Sequence, residues 1–382
     1  MNKPGCGAIL GWLLGALALL GGSAFALRAA ERAPFPRGVV VGARAAGMGN
    51  AFTAVANDAT AIWWNPAGVA MINGPEGRYL PELALSWGTK QITHSDALTT
   101  QLDSLPQFAS IIMPLPVGET WSLATGLSFQ KVFEQDLGLD LVDRTDNFMR
   151  FSALVSFEKR LGDGAGWWRR FGVGFTLDYG VRQFNQTAPP PPPITPYVST
   201  KGSTRGFGFS LGLLASVYRE PNRVDWKAGI TYHSAINASN PTVDGFSGAK
   251  FPSELMLGLS REYLFGGVGQ FQALLLTGNI ELDGWSQLIG DSGFDSKSVG
   301  VGAEYRRQWH EQFFGSLRAG LQYRFSRTVD YPNFPTIHEP ASVIPTVGVG
   351  AIWNSFQIDL ALNLGRADLG EFGGVVSADY AF

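Results

Sequence analysis

Period-two alternation of apolar and polar residues, repeated segment after segment, covers most of this 382-residue chain. In 149–157 the odd positions are Met149, Phe151, Ala153, Val155 and Phe157, while Arg150, Ser152, Ser156 and Glu158 lie between them. Segment 171–182 sets Phe171, Val173, Phe175, Leu177, Tyr179 and Val181 against Gly172, Gly174, Thr176, Asp178, Gly180 and Arg182. Segment 313–325 repeats the pattern, with Leu317, Ala319, Leu321, Tyr323 and Phe325 opposing Ser316, Arg318, Gly320, Gln322 and Arg324. Successive strand side chains point to opposite faces, so each segment has one oily face and one that carries charge. A membrane barrel that is apolar outside and polar inside requires this combination. A sandwich also alternates, but its strands are usually shorter and its inward face is the apolar one.

About 14 such segments are present, near the even numbers typical of bacterial barrels. They span 80–88, 107–113, 119–131, 148–160, 170–182, 204–218, 224–236, 252–263, 269–283, 298–307, 313–327, 343–353, 356–365 and 374–382. Long connections at 89–106, 132–147, 183–203, 237–251, 284–297 and 328–342 alternate with short ones such as Asn354-Ser355. Long loops outside and short turns in the periplasm are the rule for such barrels, which puts residues 27–79 and Phe382 on the periplasmic side. Five successive prolines, 189–193, predict a stiff polyproline II spur in an outer loop. The expected fold is all-β: a transmembrane antiparallel β-barrel of about 14 strands over 80–382, with a partly helical N-terminal plug inside it over 27–79.

The start of the chain agrees with export. Lys3, the uncharged apolar run 8–20 and Ser23-Ala24-Phe25-Ala26 read as a signal peptide over 1–26, which takes the general secretion route to the cell outer membrane. No other stretch approaches the roughly 20 apolar residues of a membrane-spanning helix, so a helical membrane protein is excluded. Cys6, the only cysteine, leaves with the signal peptide, so no disulfide or cysteine metal site is expected. A net charge of −3 favours neither nucleic acid nor an anionic surface as partner. The last segment places Val376, Ala378, Tyr380 and Phe382 on one face. It resembles the closing strand of outer-membrane barrels, which implies that Tyr380 and Phe382 form the signal read by the barrel-assembly machinery.

No strand pattern covers 34–75, where small residues dominate. Short helices are expected over 45–55 and near 59–64, ended by Asn65-Pro66 because proline cannot continue the preceding turn. Gly and Ala let backbones approach closely, which suits a plug packed inside a barrel. The run Arg44-Ala45-Ala46-Gly47-Met48-Gly49, Phe52-Thr53-Ala54-Val55, Asn57-Asp58-Ala59 and Trp64-Asn65-Pro66-Ala67-Gly68 resembles the N-terminal signature of FadL-type outer-membrane transporters. Its detailed match is closer to their relatives in the PorV/PorQ-like branch. The resemblance implies a hatch that contains Gly47, Met48, Gly49, Asn57, Asp58, Asn65, Pro66, Ala67 and Gly68. A shift of that hatch would pass a hydrophobic small-molecule ligand, such as a long-chain fatty acid. Asn65 is expected to cap or bond loop backbone, and Asp58 to bond a hatch amide or an inward Arg. The same residues can equally serve to fold the plug without touching ligand.

Charges on the inward faces, among them Arg150, Glu158, Asp178, Arg182, Glu304, Arg306, Arg318, Arg324 and Asp359, argue against a wholly greasy channel. They are expected to pair or face water. Leu137, Leu139, Leu141, Phe334 and Ile337 in the outer loops suit either ligand capture or contact with outer-membrane lipid and lipopolysaccharide. No catalytic, cofactor or metal site is expected. His233 and Ser234 are strand neighbours on opposite faces, the four histidines lack metal-ligand spacing, and Gly290-Asp291-Ser292-Gly293 is too short a match to a serine-protease nucleophile region. Two functional classes follow: a transporter of hydrophobic molecules, or a PorV-like docking or shuttle factor for secretion-system proteins. A structural barrel with neither role is the third.

Overall fold

The computed structural model describes residues 27–28, 40–72, 80–94, 97–102, 105–118, 120–139, 142–162, 165–188, 198–237, 250–265, 271–284, 295–329, 337–365 and 372–382. The expected signal peptide, the proline spur, Leu141, Phe334 and the 290–293 motif lie outside them.

Fourteen strands form the wall. They are β1 (Glu82–His94), β2 (Phe108–Pro116), β3 (Trp121–Leu139), β4 (Val142–Arg160), β5 (Gly166–Ala188), β6 (Val198–Glu220) and β7 (Val224–His233). The circuit continues through β8 (Glu254–Phe265), β9 (Gln272–Asp283), β10 (Ser296–His310), β11 (Phe313–Arg324), β12 (Ser342–Trp353), β13 (Phe356–Leu364) and β14 (Phe372–Ala381). Each wall strand runs antiparallel to its sequence neighbour, and β1 closes the ring by pairing with β14 from Glu82↔Ala381 to Gly88↔Val375. The result is a closed antiparallel barrel of the expected strand number, with no edge to satisfy. Two short pieces, Leu27–Arg28 and Ala97–Leu102, pair with one another beside β1.

Alternation maps onto the wall as expected. Leu127, Phe157, Val173, Leu213, Leu259 and Leu317 are exposed on the outside, while Ser156, Glu158, Thr176, Asp178, Ser210 and Glu304 are buried inside. Trp121, Trp167, Trp168, Trp309, Trp353, Phe356, Tyr380 and Phe382 are exposed and cluster at the strand ends joined by short turns. That ring matches the aromatic girdle of outer-membrane barrels. Along β5, the twelve residue rises from Trp167 to Tyr179 span roughly 28 Å of membrane normal at a 45° tilt, the height of one hydrocarbon layer.

The wall overshoots the sequence expectation at the opposite end. Residues 132–139 and 142–147, expected as part of a loop, form a strand ladder that ends at Leu139↔Val142, and β5 and β6 stay paired to Ala188↔Val198. Beyond the membrane neither face needs to be apolar, so alternation vanishes while backbone pairing continues. Leu137 and Leu139 thus lie in β3, and Ile337 lies in a two-stranded hairpin with Arg327–Val329.

Candidate functional site

Residues 40–72 are enclosed by the wall. The segment contains α1 (Ala43–Ala46), α2 (Ala61–Trp64) and a 3₁₀ helix, Pro66–Met71. The helix expected over 45–55 is instead one turn followed by irregular backbone. Gly49 at φ 65 and Asn50 at φ 61 adopt left-handed conformations that a helix cannot continue through. The second helix ends at Trp64 as expected, and Pro66 opens the 3₁₀ helix, where its missing N–H leaves no donor unpaired.

Val41, Ala45, Met48, Phe52, Val55, Ile62, Trp64 and Val69 form the segment's core with Phe108, Ile112, Leu154, Met256 and Leu275 of the wall. Close approach is possible because the wall is lined with glycine where the segment's backbone touches it. A Cβ added at Gly258 would stand 2.7 Å from the Ala54 amide nitrogen, at Gly229 2.5 Å from the Thr53 carbonyl oxygen, and at Gly172 2.7 Å from the Ala67 carbonyl oxygen. At Gly174, Gly302 and Gly320 it would overlap Pro66, Met48 and Gly49 outright. Gly229 faces Gly258, and Gly302 faces Gly320, across their strand pairs. Inward hydroxyls next to this lining hold segment carbonyls: Thr277 donates to Ala51 (2.9 Å), Ser260 to Ala54 (3.1 Å), Ser110 to Ala59 (2.9 Å) and Thr231 to Trp64 (3.0 Å). These bonds answer backbone groups that the irregular segment leaves unpaired.

Arg44 anchors the segment electrostatically. Its Nε and Nη2 donate to the two Glu304 carboxylate oxygens at 2.8 and 2.9 Å, and its Nη1 donates to Asn57 Oδ1 at 2.7 Å and Asp58 Oδ2 at 3.3 Å. Glu304 also accepts from Arg318 Nε at 2.6 Å, and Arg318 Nη1 donates to Asp359 at 2.6 Å. Burial alone pulls the Arg44 pKa down, but Glu304, Asp58 and Asp359 outweigh it and hold the guanidinium above its ordinary value. The bidentate fork fixes orientation as well as charge.

Each hatch residue singled out from the sequence falls in this assembly. Gly47 caps α1, donating to Ala43 at 2.9 Å, Met48 is fully buried, and the Gly49 amide donates to Thr346 Oγ1 at 3.0 Å. Asn57 and Asp58 meet Arg44. Asp58 also accepts from the Thr60 amide at 3.0 Å, so its arginine belongs to the segment rather than to the wall. Asn65 accepts from the Ala67 amide at 3.1 Å and donates to Thr53 at 3.0 Å and to Leu213 at 2.9 Å, tying segment to wall. A Cβ at Gly68 would stand 2.8 Å from the Ala56 Cβ. Tyr380 and Phe382 lie apart from this assembly, edge to face at 5.0 Å on the outer surface.

Sequence reasoning missed a second contact. Trp63 stacks on His233 at 4.3 Å, and Arg150 lies 4.7 Å over the Trp63 ring. His233 does face away from Ser234, but Ser210 lies directly across from it on β6, with Oγ 2.8 Å from His233 Nδ1. Ser210 donates to Asp178 at 2.8 Å, so the carboxylate holds the hydroxyl and does not orient the imidazole. Nucleophilic catalysis needs the reverse arrangement. With Trp63 covering it, the cluster fastens the segment to the wall.

Between the segment and the long-loop end lies a chamber bounded by Val41, Trp63, Trp64, Gln130, Glu254, Glu281, Asp283, Arg324, Arg327 and Glu339, among others.

No protein-family model matches the sequence, and no curated protein sequence matches it. Solved structures do match. A FadL homologue of Pseudomonas aeruginosa superposes with a TM-score of 0.53 at 14% identity, over 92% of this chain and 99% of that one. The toluene transporter TbuX of Ralstonia pickettii gives 0.54 at 14%, over 90% and 98%. The toluene transporter TodX of Pseudomonas putida gives 0.51 at 14%, over 89% and 97%. The chain has the fold of the FadL-type outer-membrane transporters.

Proposed function

We propose that this protein passes a hydrophobic small molecule across the outer membrane, and that residues 27–79 act as the plug whose part 40–72 is the gating hatch. The observation that carries this reading is the seating of 40–72 across the lumen, on glycine-lined wall and one bidentate ion pair. Both are contacts that a shift of the segment can break and remake without unfolding strands. Gly47, Met48, Gly49, Asn57, Asp58, Asn65, Pro66, Ala67 and Gly68 hold the hatch shape and touch no ligand in the closed state. Deleting 34–75 is expected to leave a wall that still shows heat-modifiable mobility, but with raised conductance in planar bilayers. Conductance no higher than that of the intact protein would sink the hatch reading.

The N-terminal signature keeps a PorV-like role in view, in which the same barrel docks a secretion-system protein. A polypeptide that co-purifies from the native outer membrane in place of a small ligand would favour that role. The barrel-assembly machinery is the proposed reader of Tyr380 and Phe382. Phe382→Ala is expected to lower the fraction of chain that reaches the heat-modifiable, membrane-inserted form, and an unchanged fraction would remove that signal from the account.

A further inference from the structure

We propose that the chamber on the loop side of residues 40–72 receives the protonated amine head of a small amphiphile, and so selects against anionic heads such as fatty-acid carboxylates. The inference rests on the transporter reading and names its substrate class. Glu254 and Asp283 are directly opposite one another across β8 and β9, and Glu281 lies two residues from Asp283 on the same face. Like charges placed opposite one another destabilise a sheet pair, so this trio is a cost to the wall unless a bound proton or a cation offsets it. Two arginines border the chamber. Arg327 is also engaged by Glu339 at 2.7 Å and by Asp295 at 3.7 Å, so its charge is shared with carboxylates outside the trio.

A second observation points to a ligand independently of the charges. Gln130, 2% exposed, lines the chamber, and neither its side-chain nitrogen nor its oxygen meets a hydrogen-bond partner. Asp283 Oδ1 is likewise buried and unpartnered. Buried polar atoms are rarely left so, since each costs free energy until something bonds it. An ammonium offers three donors to carboxylate and amide oxygens, while a carboxylate offers none and meets like charge. Trp63, Trp64, Val41 and Val132 supply apolar and aromatic surface beside the polar groups, which suits a hydrocarbon body and a cation against indole.

The test is native mass spectrometry of the full-length protein in mild detergent at neutral pH, titrated separately with octylammonium, octanoate and octanol. The same titrations are run on the triple variant Glu254→Gln, Glu281→Gln, Asp283→Asn, after its heat-modifiable mobility is shown to match the parent's. Octylammonium is expected to bind about tenfold more tightly than octanoate, with most of that preference lost in the variant, as expected when a charge partner is removed. Octanoate binding as tightly as octylammonium, or a preference unchanged in the variant, overturns the amine assignment and leaves the transporter reading standing. If none of the three binds, the hydrophobic-ligand reading fails and the amine site fails with it. Should the triple variant not fold, Glu254→Gln alone is expected to lower the preference measurably, and no change would count against the site.

Discussion

Glu304→Ala is expected to release residues 40–72 while the barrel wall still closes. Glu304 is fully buried and accepts both fork bonds of Arg44 as well as one from Arg318, and Arg306 Nε lies 3.1 Å away. Arg306 keeps Glu262 and Arg318 keeps Asp359, so the wall retains ion pairs at this height. Arg44 falls back on Asn57 and Asp58 alone. Removing one partner of a buried pair costs about 3–5 kcal/mol, because the remaining charge stays buried and uncompensated. On that scale the population with the segment undocked rises by about two to four orders of magnitude. Trypsin reads it directly: Arg44 is buried in the native protein and becomes a cleavage site when the segment leaves. Resistance at Arg44 equal to the parent's would show that the ion pair does not hold the segment. Arg44→Met combined with Glu304→Met should lose much less than Glu304→Ala, since no unpaired charge is then left between them.

Gly320→Val is expected to block seating by shape rather than charge. Its Cβ would overlap the Gly49 amide and Met48 backbone and stand 2.6 Å from Thr346 Oγ1. Valine suits a strand better than glycine does, so β11 itself gains while the segment loses its place. Overpacking usually costs about 1–3 kcal/mol, and the upper end applies here because the obstacle is backbone rather than a flexible side chain. Open-channel conductance in planar bilayers should rise above the parent's. Gly278→Val is the control, since the nearest atom to its Cβ lies 3.8 Å away, and its conductance should match the parent's. Equal conductance in the two variants would mean that the glycine lining does not set the fit.

Membrane-facing residues were the most legible part of the sequence because lipid tolerates no polar side chain there. Alternation such as Phe171–Val181 therefore locates strands, strand number and the outward face. The strand extensions at 132–139 and 142–147 were not legible, since outside the lipid both faces are free to be polar. The helix expected over 45–55 fails because small-residue composition is compatible with helix or tight irregular backbone, and the left-handed Gly49 and Asn50 decide for the latter. Arg44 and Glu304 stand 260 residues apart, a pairing no local pattern encodes. Yet a trace was present: inward charges at Glu304 and Arg318 on neighbouring segments, and at Asp359 two segments further on, mark one region of the lumen. Inward glycines at 172, 174, 302 and 320 left a similar trace, an empty side-chain position facing something that needs the room. His233 pairs with Ser210 rather than Ser234 because strand register, unreadable in one sequence, sets neighbours across the sheet.

The proposed gating is tested most directly by tethering the segment to the wall. Ser156 Oγ lies 3.4 Å from the Ala70 amide nitrogen, and the only native cysteine is Cys6 in the expected signal peptide, so Ala70→Cys with Ser156→Cys offers one defined cross-link. Open-channel conductance in planar bilayers is then compared between the oxidised and reduced protein. The account predicts conductance no higher than that of a protein-free bilayer when oxidised and a rise above it on reduction. Equal conductance with the cross-link verified as complete would contradict a moving hatch.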